Sequence, residues 1–139
     1  MNTLRIAFLP GAIAGLLSIL ASWLWMGVIF HRFQQRTPNT WRPENNRSYA
    51  LSAALHFAAC IAIAGLFVIV ARAPVGIFAD GMLGAFRFAA LIWLAIAAPL
   101  ALEAALFINI HPNVVLGQVL DWLTTSVLAC AITAWWRHL

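Results

Sequence analysis

Lysine is absent from this chain of 139 residues, and only four residues are acidic. Charged residues make up 9% of the chain and hydrophobic ones 64%, whereas a soluble domain is about 25% charged and about 45–50% apolar. Too little polar surface remains to wrap a water-soluble domain of this size, because a small domain buries only part of its apolar area. Cysteine is nearly missing as well. Cys60 and Cys130 both fall inside apolar runs, which excludes a disulfide framework and predicts buried, unreactive thiols. No GxSxG, HExxH, CxxC or phosphate-loop pattern occurs, so no nucleophile elbow, zinc helix, redox pair or nucleotide cradle can be read from a motif. No cofactor is expected. His31, His56 and His111 have no metal-site spacing, so no metal is expected either.

What is present is apolar length. A membrane-crossing helix needs about 20 apolar residues, and four runs meet that need: about 6–30, 49–71, 84–108 and 117–136. Ala12-Ile13-Ala14 has the look of a cleavage site. The apolar stretch before it is too short for a signal peptide, so the first run is expected to be a span. The spacing predicts an all-α integral membrane protein, a four-helix up-down-up-down bundle forming a single domain over 1–139. The only long polar segment is 31–48, where Pro38 and Pro43 prevent an uninterrupted helix. A shorter turn, 72–83, carries Pro74, Gly76, Asp80 and Gly81.

The formal charge of +4 does not point to nucleic acid, because the arginines flank the apolar runs. Arg32, Arg36, Arg42 and Arg47 in the long loop, and Arg137 at the end of the fourth run, are expected at anionic lipid headgroups. Four arginines fall on each side of the membrane, so the positive-inside rule does not orient the chain.

Small residues in the first run, Gly11, Gly15, Ser18 and Ser22, fall on one helical face. Such a stripe predicts a helix-packing seam. Polar side chains recur on one face of two other runs: Ser52, His56 and Cys60 in the second, and Gln118, Asp121 and Thr125 in the fourth. With 1.5 Å of rise per residue, His56, Glu103 and Asp121 lie roughly 10, 8 and 6 Å in from the long-loop side. Ionisable groups inside spans are costly, so they are expected to pair or to work. Glu103 sits at the disfavoured end of its helix dipole and Asp121 at the favoured end. An unpaired Glu103 is therefore expected to be protonated or to draw a cation, from His56 or a loop arginine. The candidate site is a polar intramembrane pocket of His56, Glu103, Asp121, Gln118 and Thr125.

Three places resemble a known family. They are Trp25-Met26 with Phe30, the run from Trp93-Leu94 to Pro99 followed by Leu106-Phe107, and Asp121-Trp122 ahead of Trp135. In these the chain is similar to the bacterial four-span membrane proteins grouped as domain of unknown function number seventeen sixty-one. The resemblance implies a four-span fold, with a bacterial inner membrane as its place, and no reaction. The residues themselves lead to a small proton, cation or solute transporter, expected to be a homo-oligomer. The alternative is a non-catalytic accessory subunit of a larger membrane complex. An interfacial lipid-acting enzyme using His31 or His111 comes last.

Overall fold

The computed structural model describes residues 3–73, 76–79 and 81–137; Pro74 and Asp80 of the short turn lie outside them. The described residues form six α-helices, two π-helical segments and two short 3-10 turns. Helix α1 (Thr3–Ser22) runs into a wider π-helical segment, Trp23–Ile29, and together they form span one. After the short α2 (His31–Gln34) comes α3 (Asn46–Val70), which is span two. Span three is α4 (Gly81–Ile92), a second π segment (Trp93–Ala97) and α5 (Ala98–Phe107). Span four is α6 (Pro112–Trp136). Four helices are thus long and apolar enough to cross a membrane, and no strand occurs among the described residues. This is the fold of a multi-pass membrane protein.

Three spans begin earlier than their apolar runs: span three starts at Gly81, and spans two and four start early for a local reason. Asn45 is extended and its side chain accepts from the Ser48 N–H at 2.9 Å, so the helix starts in the polar sequence ahead of Tyr49. At span four, His111 Nδ1 accepts from the Asn113 N–H at 3.2 Å, and Pro112 takes the first helical position. Proline suits that position because its missing N–H has no helical partner there. Residues 112–116, which lie between the third and fourth apolar runs, therefore supply the first residues of the helix.

Span four is the central helix, touching the other three. Span one packs along span two, and the small-residue stripe makes that approach possible. A side chain on Gly11 would meet the Ile61 Cα at 2.8 Å, and one on Gly15 would meet the Phe57 ring at the same distance. The other half of the stripe faces span four: Ser18 and Thr125 share a hydrogen bond of 2.7 Å, fully buried. Span three is held chiefly by span four. The Trp93 indole N–H donates to the Val119 carbonyl at 2.8 Å, and on the opposite side of span four Trp25 donates to Thr124 Oγ1 at 3.1 Å.

Spans two and three meet at one end only, where Phe67 and Phe88 approach at 5.7 Å between ring centres. Phe78 meets Phe88 edge-on at the same distance. Beyond this aromatic contact the two helices part, and the bundle is open between them. The long loop folds back over the opposite end: Thr40 Oγ1 donates to the Asn109 carbonyl at 2.7 Å, and Phe33 stacks on His111 at 5.0 Å.

Candidate functional site: a buried histidine–aspartate pair at an intramembrane cleft

Asp121 is the tenth residue of span four, and His56 the eleventh of span two. At 1.5 Å per residue they lie about 13 and 15 Å from the same end of the bundle. They are deeper than their apolar runs suggest, because both helices begin earlier. Antiparallel packing brings them together: His56 Nε2 lies 3.1 Å from Asp121 Oδ2, and both residues are buried.

The hydrogen bonds around the pair restrict where its protons are. His56 Nδ1 lies 3.0 Å from the Ser52 carbonyl oxygen. A carbonyl only accepts, so Nδ1 carries a proton. One further proton then sits between Nε2 and Oδ2, giving either imidazolium with carboxylate or neutral imidazole with carboxylic acid. The pair is neutral in both arrangements. Oδ2 also accepts from the Ser22 hydroxyl at 2.9 Å, and the Trp122 ring stacks on the imidazole at 5.2 Å with planes 14° apart. Three helices thus fix the carboxylate: its own, span one through Ser22 and span two through His56.

One face of this cluster lines a cavity of about 750 Å³ between spans two and three. Ser22, Ser52, His56, Gln118, Asp121 and Ser126 give it polar character; Leu66, Ile92, Ile96 and Leu100 form apolar walls, while Ala97, Ala101 and Ala104 leave room. Two of the lining residues keep a buried oxygen without a hydrogen-bond partner among the described residues: Asp121 Oδ1 and Ser126 Oγ. Asp121 is 4% exposed and Ser126 1%. Unsatisfied buried polar atoms are rare in folded proteins, and each calls for a partner, whether water, ion or ligand.

The expected site residues divide. His56, Asp121 and Gln118 come together at the cleft. Thr125 is turned away from it, into the seam with Ser18. Glu103 corrects the expectation: it is exposed on the outer face of α5, does not line the cavity, and forms no ion pair among the described residues. Its bearing around the helix keeps it away from the pair. Ser22, read as a packing residue, holds the carboxylate. Trp122 and Ser126 were not picked out as pocket residues, although they follow Gln118 at i+4 and i+8 and so continue the polar face of span four. Of the arginines, Arg32 and Arg36 lie over the Phe33 ring at 4.8 and 5.2 Å, and Arg42, Arg47 and Arg137 are exposed. No third His, Cys, Asp or Glu among the described residues joins the pair to make a metal-holding group.

Comparison with known proteins gives a family and no activity. No curated protein and no solved structure matches the chain. A family model matches residues 9–134, nearly the whole length, including both partners of the pair and every wall of the cleft. The chain belongs to the family described as protein of unknown function DUF1761.

Proposed function

We propose that this membrane protein handles a proton together with a cation or small solute, using the cleft between spans two and three as the binding place and the His56–Asp121 pair as the exchanging group. The observation that carries the reading is the pair itself: a buried neutral couple that holds one transferable proton and lines a cavity large enough for a small molecule. Ionisable groups buried within spans and facing a cavity mark ion, proton or substrate paths. The polar stripes of spans two and four meet inside one molecule, and the glycine stripe of span one is used internally. Both features favour a working pocket over an accessory subunit that keeps these faces for a partner.

The test is the collapse of an imposed pH gradient in proteoliposomes, followed with an internal pH-sensitive dye, with and without added small cations. Asp121→Asn should lower the protein-dependent rate by about tenfold or more, and Glu103→Gln should leave it near wild type, since an essential proton-transfer group commonly contributes about 10²–10⁴ in rate. Wild-type vesicles indistinguishable from empty ones under every condition would remove this reading.

A further inference from the structure

We infer that the cleft takes a lipophilic amine in its ammonium form, entering sideways from the bilayer and displacing the one proton held between His56 and Asp121. This rests on the proposed function and names the solute class.

The geometry supplies four reasons. First, Asp121 and Ser126 both line the cavity, and each keeps a buried side-chain oxygen, Oδ1 and Oγ, without a hydrogen-bond partner among the described residues. An ammonium group offers three donors and no acceptor, which matches a carboxylate oxygen and a hydroxyl oxygen. Second, charge must balance. The pair is neutral before binding, and a cation added to it would leave a net buried charge, which is strongly disfavoured. If the shared proton leaves to solvent, neutral His56, ionised Asp121 and the ammonium again sum to zero. No bond other than the N–H or O–H of that proton is broken. Third, an anionic ligand finds no free cation here, because His56 is already committed to Asp121. Fourth, the remaining walls suit a hydrocarbon body: Leu66, Ile92, Ile96 and Leu100 are apolar, and the cavity lies between two helices that meet only at Phe67 and Phe88. Met26 and Trp122 add a polarisable thioether and an aromatic ring near the charge.

No other titratable group among the described residues competes for the proton. Span one presents Ser22 and Trp25, neither of which titrates. On span two the nearest is the buried Cys60 thiol, one turn beyond His56. Glu103 of span three faces outward, and Arg87 lies toward the opposite end, donating to the Ile77 carbonyl.

The probe is dodecylammonium, titrated into the full-length protein in phosphatidylcholine nanodiscs, with empty nanodiscs subtracted. Calorimetry in two buffers of different protonation enthalpy counts the protons released. The expected result is saturable binding with about one proton released per ammonium, and an affinity that weakens by up to about tenfold per unit fall in pH where the exchange operates. Butylammonium, which reaches the site from water and has little hydrocarbon body, should bind at least about tenfold more weakly. Asp121→Asn should lose binding. Ala101→Phe fills the cleft while leaving the pair intact, so it decides the matter if the first variant does not fold. Dodecanol binding as tightly as dodecylammonium, binding without proton release, or undiminished binding by Ala101→Phe would each overturn the inference. Failure here with gradient collapse intact would spare the proposed function, and ammonium binding without any gradient collapse would do the reverse.

Discussion

Span two presents two faces that have opposite fates. Toward span one it packs so closely that Gly11 and Gly15 have no room for a side chain. Toward span three it stands apart, with a cavity of about 750 Å³ between the helices. Alanine occurs on both faces, Ala64 toward span one and Ala59 and Ala62 toward span three. The difference lies in the opposite helix. Span one offers Gly11 and Gly15, so the backbones approach, while Ser18 and Ser22 on the same helix pair with span four. Span three offers isoleucine and leucine alternating with alanine, and span four already holds it through Trp93. In lipid, helices gain little from burying apolar surface alone, and close backbone approach drives association. The sealed seam has that approach; the cleft has it only at the Phe67–Phe88 end.

This contrast can be broken or sharpened by adding the same bulk on each side. Gly11→Leu places a branched side chain against the Ile61 backbone and should cost about 3 kcal/mol or more, the upper range for overpacking. Ala101→Leu adds similar volume to the cleft and should cost less than about 0.5 kcal/mol, as a substitution outside packed contacts does. Steric trapping or denaturant unfolding in lipid–detergent mixtures measures both; equal losses would mean that the cleft is as packed as the seam. A smaller effect is expected from Thr125→Val, which removes the partner of Ser18 and should destabilise by about 0.6–1.7 kcal/mol, as interhelical hydrogen bonds in membranes do. It should leave solute binding intact, because Thr125 does not line the cavity. The smallest change is expected from Glu103→Gln, within about 0.5 kcal/mol in stability by the same measurement.

Much of this architecture was legible in the sequence. Apolar length gave the four helices, and the spacing of Gly11, Gly15, Ser18 and Ser22 gave the face that seals span one to its neighbours. Rise per residue placed His56 and Asp121 at a common depth, and antiparallel packing did bring them into contact. Other features were hidden for identifiable reasons. Apolar run length cannot see a cap, so Asn45 and Pro112 started two helices earlier than the hydrophobic pattern indicated. Depth also carries no information on direction around the helix, and for that reason Glu103 was grouped with residues it does not face. The opening between spans two and three depends on which pairs of helices approach closely. A four-run pattern is equally compatible with a closed ring.

The bearing of Glu103 follows from the wide turn at Trp93–Ala97, where hydrogen bonds of the i→i+5 kind accommodate about one residue more than an α-helical turn. Each residue of an α-helix corresponds to about 100° of rotation, so shortening this segment by one residue would swing the rest of span three through roughly that angle. Ala101 and Ala104 would leave the gap, and a different meridian of the cylinder would look into it. Whether the carboxylate of residue 103 greets hydrocarbon or a neighbouring helix is therefore decided upstream, by the length of a stretch that contains no charge at all.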